Sequence, residues 1–290
     1  MNFGEDISFS ALFLRKFQKL YCRKYKSMVD FENKPNYNVY DLKALMELLR
    51  GPDGCPWDSE QSHKSIRRNL LEEAYEAAEA IDEDDTDHLR EELGDVLMQV
   101  VFHADIAKKE GRFDFDDIAD ATCKKLIRRH PHVFGEVRAK NGKESLAFWE
   151  DIKRKEKLQE TVSDSMLSVA RSLPALWRAE KVQKKAAKAG FDWPDHSGAL
   201  DALRAELREL EGAISSGEGV EEELGDLLFS AVNVARFFGV DPEGALGSSS
   251  DKFISRFAKV ESAALDTGAR LEDMSLADME SLYQKAKLEE

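Results

Sequence analysis

Two stretches of this chain carry the same acids in the same helical spacing, and that doubling limits the fold more than any other feature. The first is Glu72-Glu73-Ala74-Tyr75-Glu76, followed by Glu92-Leu93-Gly94-Asp95. The second is Glu206-Leu207-Arg208-Glu209, followed by Glu223-Leu224-Gly225-Asp226. Each sets an E-x-x-E ahead of an E-x-x-D across a short polar break. Residues three apart share a helix face. Two such helices packed antiparallel gather four carboxylates, whose mutual repulsion is relieved by a cation held among them.

An acidic run on a helix is ordinarily a solvated face. Glu73 and Glu76 lie roughly opposite the apolar stripe of their own helix, at Leu71, Ala74, Tyr75, Ala78 and Ile81, which fits that ordinary role. The helices that carry Asp95 and Asp226 point the other way. Val96 to Phe102 and Leu227 to Val232 are apolar nearly all round, which predicts buried helices with both aspartates headed into an interior. A buried, ionised carboxylate is costly unless paired or metal-bound, and here it occurs twice, each time one residue after a glycine. The glycines leave room for a helix or ligand to come close.

Oxygen-only ligands suit Mg²⁺, Mn²⁺ or Ca²⁺ rather than zinc. A redox di-iron bundle would need E-x-x-H on two facing helices. The chain has one, Glu60-Gln61-Ser62-His63, outside the acidic helices, and His63 reads as a surface or capping residue. His88, His103, His130, His132 and His196 show no metal-ligand spacing. Two K-x-x-x-R pairs, Lys125/Arg129 and Lys252/Arg256, fall at matching places after the acids. Residues four apart share a helix face, so each pair could grip a phosphate chain. There is no G-x-x-x-x-G-K-[ST] phosphate loop, which leaves metal and side chains to hold any nucleotide.

The formal charge of −15 over 290 residues repels nucleic-acid polymers and anionic membranes, while a small anion remains reachable through a metal. Cys22, Cys55 and Cys123 are odd in number and far apart, which reads as a reducing compartment without zinc or disulfides. No apolar run approaches the ~20 residues of a membrane span, and the start is a poor signal peptide. The expected location is the cytoplasm.

Strand signals are almost absent, so the expected class is all-α. Helices are predicted at 41–49, 62–81, 89–108, 115–129, 174–189, 199–214, 221–238, 250–265 and 276–288, with breaks at Gly51–Gly54, Asp82–Asp87, Pro131, Gly190 and Ser215–Gly219. Residues 1–38 are a basic, aromatic extension, expected to be partly disordered or a short docking helix. A first repeat spans 39–139, a charged helical linker 140–170, and a second repeat 171–290.

From Tyr40 onward the chain closely resembles the MazG family of nucleoside triphosphate pyrophosphohydrolases. The resemblance is carried by E-E-x-x-E with E-x-x-D, by Gly54-Cys55-Pro56-Trp57-Asp58, by Arg128–Phe134 (R-R-H-P-H-V-F), by Arg171–Leu176 and by Gly190–Trp193 (G-F-D-W). It implies a tandem-repeat all-α homodimer that depends on Mg²⁺, with Mn²⁺ as a substitute. It also implies cleavage of NTPs or dNTPs between the α and β phosphates, giving the monophosphate and pyrophosphate. Carried over by position, Glu206, Glu209, Glu223 and Asp226 would hold the metal in the second repeat, and Glu73, Glu76, Glu92 and Asp95 in the first. Lys252 and Arg256 would bind phosphates, and Tyr283 stands where the family often has a tryptophan near the base. Asn233, seven residues after Asp226, could contact ligand or sugar, whereas Phe102, seven after Asp95, cannot. The second repeat is therefore the expected working site. Ala205 in place of the leading glutamate and Gly219 in place of a phosphate-binding lysine depart from the family pattern. They keep open a non-catalytic helical dimer that binds nucleotide or a protein partner.

Overall fold

The computed structural model describes residues 31–156 and 160–289. Most of the basic N-terminal extension, Cys22 included, lies outside the described residues. Every regular element among those described is helical. No helix among them is long and apolar enough to cross a membrane. The chain divides between Trp149 and Glu150 into two compact units.

In the first unit, α1 (Val39–Leu49) starts on a capping box. The Asn38 side chain accepts from the N–H groups of Tyr40 and Asp41, and Asp41 accepts from the Asn38 N–H. The short α2 (Pro56–Glu60) has its proline in the first turn. Next comes a hairpin of α3 (Arg67–Asp82) and α4 (Thr86–Lys109), joined by so short a turn that the helices run antiparallel. Asp85 caps α4, accepting from Asp87 and His88. Met46 of α1, Ile66, and Val101, Phe102 and Ile106 of α4 form the core cluster. Helix α5 (Phe115–Arg129) opens on the Asp114 capping box. The single-turn α6 (Pro131–Phe134) follows, and α7 (Gly142–Glu156) carries the chain across the division.

Arg50, just past α1, is 7% exposed. Its Nε donates to Asp105 at 2.6 Å, a second guanidinium nitrogen donates to the Asp58 carbonyl, and the group lies 4.7 Å above the Phe102 ring. This buried cation ties the loop after α1 to α4.

The second unit repeats the plan. After α8 (Val162–Leu167), α9 (Ala175–Lys188) lies against a hairpin of α10 (His196–Ser216) and α11 (Val220–Phe237). Gly217 and Gly219 make the hairpin turn, both at φ +78°, a conformation that side chains disfavour. Helix α12 (Pro242–Asp266) and α13 (Leu276–Leu288) pack together to close the unit. Arg236 of α11 pairs with Asp192 of the G-F-D-W loop, and Trp177 Nε1 donates to Asp241 at 2.7 Å. A Cβ added at Gly198 would sit 2.7 Å from the Trp193 ring, so that loop's indole lies flat on the first turn of α10.

Three expectations change. The stripe Leu71, Ala74, Tyr75, Ala78 and Ile81 is exposed, and α3 instead packs through Ala77 and Ala80, with Glu73 half-buried beside them. The two E-x-x-D helices are not buried all round: Leu93, Leu97, Leu224 and Leu228 are exposed, as is Asp226. A helix in a two-helix hairpin can bury one stripe only, so the apolar surplus faces outward. Nor does another helix among the described residues approach the two glycines, since a Cβ at Gly94 or Gly225 would meet nothing within 4 Å.

Candidate metal and nucleotide site

Helical spacing does what the sequence promised for three acids of each set. Glu73, Glu92 and Asp95 bring carboxylate oxygens within 4.8 Å of one another, and Glu206, Glu223 and Asp226 do the same. In each case α3 or α10 supplies one acid and the first turns of the antiparallel partner supply two. Glu76 and Glu209 are exposed and stand outside these close triads, yet their charges act on them.

The electrostatics are those of a site built for a cation. Burial, then Asp95, Glu76 and Glu92, push the Glu73 carboxyl above the usual glutamate value. Burial raises Glu92 as well, with Glu76 adding to it and His88 opposing. In the second unit burial raises both Glu206 and Glu223, followed by Glu209 and Asp226. Glu92 is 8% exposed, and its Oε2 is buried without a hydrogen-bond partner. An orphaned carboxylate oxygen on a member of a carboxylate cluster fits a hard divalent ion with oxygen ligands. Only oxygens converge here, which matches Mg²⁺ or Mn²⁺ chemistry better than zinc.

The remaining residues expected at the site occupy the surrounding helices. Lys125 and Arg129 lie on α5, and Arg129 rests 5.0 Å over the Trp149 ring. Lys252 and Arg256 lie on α12, with Arg256 6.0 Å over the Tyr283 ring. Tyr283 also packs at 5.8 Å against Phe253. Asn233 projects from α11, and its Oδ1 accepts from Arg236 Nε at 3.0 Å. Phe102, its counterpart, is buried in the core cluster.

Three polar groups escaped the sequence reading. His88 stands 3.3 Å from Glu92, and its position four residues earlier on the same helix was the available signal. Gln183 is buried on α9; the signal was a lone amide on that helix's packed face. His63 is partly exposed, yet it is not free on the surface. Its Nδ1 meets Nδ1 of His103 at 2.8 Å, a contact between residues 40 apart that spacing could not announce.

Comparison with known proteins agrees with this geometry. The family model for the MazG nucleotide pyrophosphohydrolase domain matches residues 61–134 and again 195–260, one copy over each acidic hairpin. The chain is 45% identical over 247 residues to the Thermotoga maritima nucleoside triphosphate pyrophosphohydrolase/pyrophosphatase MazG, covering 85% of this chain and 94% of that protein. It is 44% identical over 254 residues to the nucleoside triphosphate pyrophosphohydrolase of Escherichia coli K12, covering 86% of this chain and 97% of that one.

Proposed function

The chain belongs to the MazG nucleotide pyrophosphohydrolase family and is a nucleoside triphosphate pyrophosphohydrolase; on that premise we propose how its residues divide the work. The reaction is hydrolysis of NTPs or dNTPs between the α and β phosphates, with Mg²⁺ as cofactor and Mn²⁺ able to replace it. The observation that carries this reading is the close triad Glu206, Glu223 and Asp226, held on two antiparallel helices with its two glutamates raised above their ordinary value.

Glu206, Glu223 and Asp226 would hold the ion. When bound, it would neutralise the triphosphate and polarise the phosphoryl group under attack. Glu209 lies outside the close triad while its charge reaches both Glu206 and Glu223. We assign it the role of orienting the attacking water and accepting its proton. Lys252 and Arg256 take the leaving pyrophosphate, Asn233 the sugar side, and Tyr283 the neighbourhood of the base. Glu73, Glu76, Glu92 and Asp95, with Lys125 and Arg129, make the corresponding first-unit set. The second unit is the working site because Asn233 offers an amide where Phe102 fills the first unit's core.

The outward apolar faces of the two hairpins support a homodimer, in which Leu93, Leu97, Leu224 and Leu228 become buried. The net charge of −15 and the odd number of cysteines support a cytoplasmic protein that does not bind nucleic-acid polymers.

The test is product analysis with Mg²⁺ and a panel of NTPs and dNTPs in ¹⁸O-labelled water. Monophosphate carrying the label, plus pyrophosphate, is the expected result. Diphosphate plus inorganic phosphate would overturn the bond assignment. Nucleotide binding without turnover would leave the regulatory dimer as the better account.

A further inference from the structure

We infer that Arg236, anchored by Asp192 of the G-F-D-W loop, is a positioning residue for the nucleoside: it fixes the Asn233 amide so that Nδ2 is offered as a donor to an oxygen of the bound sugar. This rests on the pyrophosphohydrolase reading and adds two residues to it.

Asn233 and Arg236 are three residues apart on α11, so their side chains meet on one helix face. Arg236 Nε lies 3.0 Å from Asn233 Oδ1. A guanidinium can donate but not accept, so the atom it meets has to be the amide oxygen. The amide is thereby set one way round. Asn233 is half-buried, and its Nδ2 makes no hydrogen bond among the described residues and is not sealed from solvent. What the residue presents is a donor.

Arg236 is itself held. Its side chain is 11% exposed, and its two terminal nitrogens face the two carboxylate oxygens of Asp192, one of them at 3.0 Å. That fork holds the Asp192 carboxyl below the usual aspartate value. The guanidinium also lies 4.6 Å over the Phe237 ring.

The first unit shows that an ion pair at this place does not require such an arrangement. Asp105 follows Asp95 by ten residues, as Arg236 follows Asp226, and Phe102 and Asn233 each follow by seven. Asp105 accepts from Arg50 of an earlier loop, and that guanidinium lies over the Phe102 ring. In the second unit the charges are exchanged, with the cation on the helix and the acid in the loop. Either order ties a loop to the second helix of the acidic hairpin. The second order also puts a donor on the helix beside residue 233. The exchange accompanies the change from a phenyl ring to an amide, which tying down a loop does not explain.

Seven residues carry Asn233 about 10 Å along α11 from Asp226. That is farther than a phosphate oxygen on the ion extends, and the sugar is the next part of a nucleotide to offer oxygen acceptors.

The experiment is a double-mutant cycle of Arg236→Met with Asn233→Ala, with Asp192→Asn in place of Arg236→Met should that variant fail to fold. Kd of α,β-methylene-ATP with Mg²⁺ is measured by calorimetry, KM for ATP by pyrophosphate release, and Ki of inorganic tripolyphosphate by displacement of the analogue. The expected result is a roughly three- to tenfold rise in Kd and KM for each single variant. The double variant should be no worse than Asn233→Ala, and Ki should not change, because tripolyphosphate has no sugar. Losses that multiply in the double variant would overturn the assignment, since they mark a residue that merely holds the loop. So would an equal rise in the tripolyphosphate Ki, or an unchanged Kd in either single variant. Wild type that binds the analogue without hydrolysing any nucleotide would overturn the proposed reaction alone, and the cycle on Kd would still decide Arg236. Wild type that binds no analogue would overturn both.

Discussion

His88 and Glu92 stand one turn apart at the start of α4, with the imidazole Nε2 3.3 Å from the carboxylate. Four residues before Glu223, at the matching place, is Gly219. The first acidic cluster therefore has a partner that can offset some of its charge. The groups that raise Glu223, beyond burial, are all carboxylates.

That difference has a pH signature. The folded-state value of Glu223 lies above the ordinary 4.5. Its stability contribution is therefore complete below the unfolded value and is lost as pH rises through the raised one. In EDTA, Glu223→Gln should gain on wild type in Tm as pH is taken from 4.5 toward neutrality, and Mg²⁺ should erase the gain. Scanning calorimetry at several pH values checks this; a Tm difference that does not change with pH would contradict it.

Removing the same acid should stop the chemistry. Glu223→Ala is expected to lose at least about a hundredfold in turnover, while Glu92→Ala stays within about threefold of wild type. The opposite ranking in a pyrophosphate-release assay would move the reaction to the first unit.

Much of this site was legible in the sequence because its parts are local. The i, i+3 spacing put Glu223 and Asp226 on one face without any knowledge of the fold. Helices with strong caps were equally plain: the Asn38 and Asp114 boxes mark α1 and α5, and Ser275 marks α13. Where local signals conflict, the reading slipped. Helix α12 begins at Pro242, eight residues earlier than expected, because Asp241 caps it with proline in the first turn. Gly244 and Gly247 had disguised that stretch as a loop. The face of α3 was misjudged for a different reason. Tyr75 and Ile81 look like core, but the side a hairpin buries is set by close helix contact, and small Ala77 and Ala80 permit it. The pairings His63–His103 and Gln183–Phe229 join distant segments and leave no periodic trace.

Arg50 should be costly to lose. Arg50→Met removes the cation from Asp105, whose side chain is 4% exposed and keeps Lys109, at 2.9 Å, as its one ion-pair partner among the described residues. A loss of about 3 kcal/mol is expected, read from urea unfolding; a change under about 1 kcal/mol would show that Lys109 compensates.

The histidine pair should make the first unit acid-sensitive. Burial, then His63, lowers His103 below 6.5, so the stability it contributes is present above that pH and is lost as pH falls. His103→Phe should flatten the drop in Tm between pH 7 and 5. An unchanged slope would place the sensitivity elsewhere.

The outward leucines predict the state of assembly. Leu224→Glu with Leu228→Glu should convert a dimer to a monomer in analytical ultracentrifugation, because charge on an apolar interface costs more than exposure in water. A wild type that sediments as a monomer at micromolar concentration would remove the basis for the dimer.

The crowded glutamates of the two triads bear on when each half of the molecule is finished. A module closed by hydrocarbon is complete once the chain has collapsed. A module that gathers carboxylates gains part of its rigidity only from the cation it takes up. Amide hydrogen exchange along the two acidic hairpins would then slow as Mg²⁺ is added, while α1 keeps the protection it acquired on folding. Duplication would thus have yielded two halves whose stiffness tracks the supply of a divalent ion.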